Sequence, residues 1–148
     1  MKPSPFHQTL FRYGPAAAAT ALIIALSLLP AYAFRSIESS LPRVPGLDKL
    51  IHGAMYAVLT ATYLHAVPLA KRAAFKTLLT ISFLSILLGI AMEFCQGWLT
   101  TTRHMELFDA LANAVGTIIS ATVARAWLSQ RTPPAFHFPE APQPPPGT

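Results

Sequence analysis

Residues 77–116 read TLLTISFLSILLGIAMEFCQGWLTTTRHMELFDALANAVG, and the fold turns on how this stretch is read. Two apolar runs flank a short polar turn bearing Arg103 and His104. Glu93 and Gln96 nevertheless sit inside the first run, and Asp109 and Asn113 at the head of the second. A carboxylate deep in so apolar a run is costly unless it pairs, titrates or faces water, so it marks a functional site by default.

The rest of the chain supports a membrane reading of these runs. Hydrophobic residues make up 53% of the 148 positions and charged ones only 11%. The apolar residues come in blocks rather than in a strand or amphipathic-helix alternation. This pattern predicts an all-α integral membrane protein. The net charge of +5 does not point to nucleic acid, because the Lys and Arg residues mark the ends of apolar runs and form no basic stripe with interleaved aromatics. Cys95 is the single cysteine, which excludes an intrachain disulfide and a cysteine-based zinc cluster.

Outward from the opening stretch, a polar leader, residues 1–14, precedes a first apolar run over residues 15–34, about long enough to cross a hydrocarbon core of roughly 30 Å. Ala31, Tyr32 and Ala33 resemble a signal-peptide cleavage site, but the run exceeds the roughly 7–15 residues of a typical signal core, so retention is expected. Pro42, Pro45 and Gly46 make residues 35–47 a loop. Asp48 opens the second run, placed to cap its helix, and Pro68 with Lys71, Arg72 and Lys76 closes it. The third run, residues 77–99, carries Trp98 near its end, and the fourth, residues 107–128, closes with Arg125 and Trp127, both typical interface anchors. Residues 131–148 hold half of the chain's fourteen prolines and read as a disordered or polyproline tail, leaving residues 15–130 as the membrane domain.

Charge predicts orientation. Lys2, Arg12, Lys71, Arg72, Lys76, Arg125 and Arg131 flank one side, against Arg35, Arg43, Lys49 and Arg103 on the other. By the positive-inside rule both termini are cytoplasmic and four helices cross. Small residues four apart, Ala17, Ala21 and Ala25, then Gly53, Ala57 and Ala61, then Ala112, Gly116 and Ser120, predict close backbone approach in a compact bundle of four transmembrane helices.

With that orientation the polar residues fall at one level. Asp48, His52 and Tyr56 share a face of the second helix, Glu93 and Gln96 a face of the third, and Asp109 and Asn113 a face of the fourth. All lie in the outer part of the bundle beneath the turn with Arg103. This predicts a polar pocket on the extracytoplasmic side.

The order and spacing Asp48-Lys49-x-x-His52 with Tyr56, Glu93-x-x-Gln96, Arg103 and Asp109-x-x-x-Asn113-x-x-Gly116 resembles the VanZ-like family of small integral membrane proteins, over residues 31–128. The resemblance implies a multi-pass protein of the bacterial cytoplasmic membrane in a cell-envelope setting. The family's founding members are linked to low-level resistance to the glycopeptide antibiotic teicoplanin.

The pocket's residues suit binding of a lipid headgroup or a lipid-linked envelope precursor, with Arg103 and Lys49 meeting phosphate and Glu93, Asp109 and Asn113 fixing orientation. The ligand-binding set is Asp48, Lys49, His52, Tyr56, Glu93, Gln96, Arg103, Asp109 and Asn113. The alternative is a membrane-embedded enzyme using Glu93, Asp109 and His52 as general acid and base. It is disfavoured because no nucleophile motif such as G-x-S-x-G is present. No cofactor is expected. A divalent metal on Asp48, His52, Glu93 and Asp109 is set aside for want of a tight ligand motif such as H-E-x-x-H. A transporter is disfavoured because the cytoplasmic halves carry only Tyr63 and His65 as notable polar groups. Homo-oligomerisation stays open.

Overall fold

The computed structural model describes residues 4–34 and 44–130. The expectations for the leader's first residues, most of the 35–47 loop and the Pro-rich tail lie outside the described residues.

Among the described residues the chain is all-helical, with four long helices: α1 (Pro5–Leu28), α2 (Leu47–Ala66), α3 (Phe75–Leu99) and α4 (Leu107–Ser129). A 3-10 turn, Ala31–Phe34, follows α1, and a single helical turn, Leu69–Arg72, links α2 to α3. Three of the long helices, α1, α3 and α4, are long and apolar enough to cross a membrane, which marks the chain as a membrane protein. The fourth, α2, falls outside that set. Asp48, Lys49, His52, two threonines beyond the site and two tyrosines dilute its apolarity, and most of them face the other helices.

The first helix differs from expectation at both ends. It starts ten residues before Pro15, because Ser4 is an N-cap whose hydroxyl accepts the His7 N–H at 3.4 Å, with Pro5 in the first turn; both are strong start signals. It stops at Leu28 rather than running to residue 34, since Pro30 drives Leu29 into extended backbone, φ −65° and ψ 136°. The second helix is not capped by Asp48 either. Its N-cap is Gly46, whose φ of 79° is open to glycine at little cost, and Asp48 lies in the first turn with its carboxylate on Lys49.

α2 is the hub, packed against α1, α3 and α4, and its contact with α4 is the most extensive in the molecule. The reason lies in Gly53 and Gly116. A Cβ on Gly116 would fall on the Gly53 carbonyl, 2.6 Å from its carbon and 2.8 Å from its Cα, so the two backbones touch. The stripe on α2 therefore packs at Gly53 and Ala57, whereas Ala61 is exposed, and that on α4 packs as expected. The stripe on α1 does not: Ala17, Ala21 and Ala25 are exposed, while Ile23 and Ser27 are buried. Ala21 and Ile23 are two residues apart, about 200° around the helix, so they face opposite ways.

The molecule is inverted relative to a water-soluble protein. Ser85, Thr60 and Thr117 are fully buried, as are Glu93, Gln96 and Asn113 at the site, whereas Phe83, Phe94, Ile118, Ile119 and Val123 look outward. Apolar contact is concentrated in two clusters. Ile23, Tyr56, Leu59 and Met92 meet beneath the polar end, and Leu64, Leu78, Ile81 and Ala121 meet toward the other.

Candidate functional site: an acidic cluster beside a cavity

The site forms where α2 and α4 begin and α1 and α3 end. Helical spacing sets its depth: on α2, Asp48 is exposed, His52 half-buried and Tyr56 buried, one turn below another. On α3, Glu93 and Gln96 are both buried, within two turns of the helix end. On α4, Asp109 is largely buried and Asn113 fully so.

Four of the chain's six acidic residues gather here: Asp48, Glu93, Glu106 and Asp109. The ammonium of Lys49 meets three of them, lying 2.8 Å from Asp48 Oδ2, 2.7 Å from Glu106 Oε2 and 2.6 Å from Asp109 Oδ1. It donates hydrogen bonds to Asp48 and Glu106 and pairs by charge with Asp109, so it is not available to the phosphate that the sequence reading assigned to it.

Glu93, only 2% exposed, is held differently. Its Oε2 accepts the backbone N–H of Glu106 at 3.2 Å, at the N-terminus of α4, where the helix dipole favours negative charge. Its other oxygen, Oε1, faces His52 Nδ1 at 3.9 Å, and the opposite ring nitrogen, Nε2, faces Asp109 Oδ2 at 3.7 Å. Both separations exceed hydrogen-bond length. The imidazole therefore stands between two carboxylates, close to each and bonded to neither.

A cavity of about 210 Å³ opens beside this group. Its lining is mixed: Leu26, Ile51, Met55, Met92 and Phe34 supply apolar surface, and Asp48, His52, Tyr56, Glu93, Gln96, Arg103 and Asn113 supply polar groups. Arg103 lies with its guanidinium 5.0 Å from the centre of the Phe34 ring, a cation–π contact. The Tyr56 hydroxyl and Asn113 Oδ1 are buried and have no hydrogen-bond partner among the described residues. Unpaired buried polar atoms are few in native proteins, and each calls for an explanation.

The structure thus brings together all nine residues singled out in the sequence. Seven line the cavity, while Lys49 and Asp109 stand behind it in the ion cluster, Asp109 facing His52. Glu106 was missed. It read as the last residue of a polar turn, yet it pairs with Lys49 and its main chain anchors Glu93. The signal was its rarity, one acid of six in a chain so poor in charge. His104, on the same turn, is exposed.

No family model, no curated protein sequence and no solved structure matches this chain. What the site does has to be argued from its own geometry.

Proposed function

We propose that this protein binds the polar headgroup of a membrane lipid, or of a lipid-linked envelope precursor, in the cavity at the junction of its four long helices. The observation that carries this reading is the mixed lining of the cavity. Leu26, Ile51, Met55 and Met92 offer apolar surface for an acyl or prenyl chain, and Arg103, Gln96 and Asn113 offer polar groups for what that chain carries. The unpartnered Tyr56 hydroxyl and Asn113 amide oxygen support it, since a bound headgroup would satisfy them.

In this reading all four long helices cross the membrane as a compact bundle, α2 included, because its polar residues are turned toward its neighbours rather than outward. The positive-inside count puts both termini in the cytoplasm and the cavity on the outer side of a bacterial cytoplasmic membrane. The motif pattern from Asp48 to Gly116 supports placement among the VanZ-like proteins, and with it an envelope role related to glycopeptide resistance. Arg103 is the cation that meets phosphate, with Lys49 committed to its three acids.

Gentle extraction followed by mass spectrometry of co-purified lipids tests the reading. A defined lipid class retained by the wild type and lost from Arg103→Ala and Glu93→Gln, both still folded, is the expected result. A lipid profile matching the bulk membrane in all three proteins would refute it.

The second reading, an enzyme acting on a lipid-linked substrate, is favoured by one observation: His52 stands between Glu93 and Asp109, an arrangement suited to passing a proton. Conversion of the co-purified lipid on incubation, abolished in His52→Ala, would replace the binding reading with this one.

A further inference from the structure

The acid pairing in this site is arranged with a regularity that headgroup binding does not require. Each of the two inner carboxylates has one oxygen engaged, by a hydrogen bond in Glu93 and by an ion pair in Asp109, and the other left toward His52. Glu93 Oε2 is held by the Glu106 N–H at 3.2 Å, leaving Oε1 facing inward. Asp109 Oδ1 is held by the Lys49 ammonium at 2.6 Å, leaving Oδ2 facing inward. One nitrogen of His52 and one oxygen from each carboxylate lie within 4.8 Å of one another.

Two buried carboxylates this close together, Glu93 and Asp109, are costly unless a proton or a counter-charge neutralises them. The Lys49 ammonium is shared among three acids, and among the described residues Glu93 has no cationic nitrogen within hydrogen-bond range, His52 Nδ1 standing 3.9 Å from Oε1. Beside the same group, the buried Tyr56 hydroxyl and Asn113 Oδ1 line the cavity without partners.

We infer that His52, Glu93 and Asp109 form a binding site for a divalent transition-metal ion, with an open coordination position toward the cavity. An imidazole with two carboxylates suits zinc or manganese better than magnesium, which prefers oxygen alone. Zinc holds nitrogen and carboxylate oxygen at about 2.0–2.2 Å, so the ligand atoms of a shared ion stand roughly 3–3.5 Å apart. Closing from a spacing of up to 4.8 Å requires side-chain rotation that turns one His52 nitrogen and both carboxylates onto a shared point. Lys49 and the Glu106 N–H then act as the outer groups that aim the ligating oxygens, as donors behind metal ligands commonly do. The sequence set this site aside because its three ligands come from three helices with no local spacing to reveal them. The inference does not depend on what fills the cavity.

The test uses the full chain in detergent micelles, stripped with chelator, cleared of added lipid and dialysed against zinc chloride. Wild-type protein is expected to retain about one zinc per chain, with at least tenfold weaker retention in His52→Ala, Glu93→Gln and Asp109→Asn, and unchanged retention in His7→Ala at the opposite end. Equal retention by wild type and His52→Ala, or loss in His7→Ala instead, would overturn the inference. X-ray absorption at the zinc edge of the wild type decides the matter without any variant. A shell of light atoms with one imidazole supports the site, whereas two or more imidazoles, or sulfur from Cys95, refutes it. A negative zinc result leaves the lipid profile of the previous section intact, so the two readings fail separately.

Discussion

The two ends of the helix cluster handle polar groups in opposite ways. At the end where α2 finishes, two arginines serve the main chain. Arg12 Nε donates to the Ala66 carbonyl at 2.7 Å, and Arg72 donates to Val67 and His65 carbonyls at 2.8 and 2.6 Å. These are the oxygens that a helix C-terminus leaves without partners, and cations there also match its negative dipole end. Both arginines have a use that folding explains. At the other end, three acids crowd one lysine, an imidazole stands unbonded between two carboxylates, and the buried Tyr56 hydroxyl and Asn113 Oδ1 have no partner among the described residues. Folding alone gives no reason for that surplus. The contrast teaches where to look for function: in the polar groups left over once the helix ends have been satisfied.

The largest expected effect comes from the contact that joins the two ends. Gly116→Ala places a methyl on the Gly53 carbonyl, and backbone on both sides cannot yield as a side chain would. The loss is expected to reach at least about 3 kcal/mol, read as a collapse of the monodisperse peak on size exclusion and of the thermal transition. A normal melt would mean that α2 and α4 are not locked together and that the two ends move independently.

Next in size, Lys49→Met strips the counter-charge from Asp48, Glu106 and Asp109 at the site end only. Its ammonium is partly exposed, so a loss of about 1–2 kcal/mol is expected. Asp109→Asn in the same chain should restore part of it, because the innermost carboxylate then needs no cation. Absence of any rescue in denaturant or thermal titration would show that Lys49 serves the outer acids instead.

Arg72→Ala, at the far end, removes two bonds to partly buried carbonyls and should cost about 1 kcal/mol in a thermal melt. Its co-purified lipids and zinc retention should match the wild type. A change in either would break the division between a structural end and a functional one.

The smallest effect belongs to Trp98→Leu. With 86% of its surface outside the protein, this side chain packs against little of the chain apart from an edge contact with Phe94, and stability in micelles should shift by less than about 0.5 kcal/mol.

How far the sequence could be read depended on the range of the signal. The apolar runs beginning at Asp48, Thr77 and Leu107 match α2, α3 and α4 within a residue or two at their starts, because long apolar blocks bounded by proline and polar turns leave few other choices. The level of Asp48, His52, Glu93, Gln96, Asp109 and Asn113 was legible too, since it follows from counting residues down helices. The rotation of α1 was not. Its alanines gave a stripe without saying which way it faced, and Ile23 and Ser27 on the other side decided the matter. The start of α1 was hidden because Phe6, Phe11 and Leu10 alternate with His7, Gln8 and Arg12, which reads as a polar leader until the Ser4 cap is noticed. The partners of Lys49 and the anchoring of Glu93 by Glu106 were out of reach, because both join segments that lie far apart along the chain.

The meeting of Gly53 with Gly116 has a mechanical side. Two main chains in contact, with the Lys49 cluster clamping them above, make the α2–α4 face of the cavity stiff. The side built by Leu26, Ser27 and Phe34 spans the break at Pro30 and is tied across by the Ala31 N–H to the Thr102 hydroxyl and by Arg103 over the Phe34 ring. The chamber is thus bounded on one side by helices whose main chains touch and on the other by a first helix that approaches through its side chains.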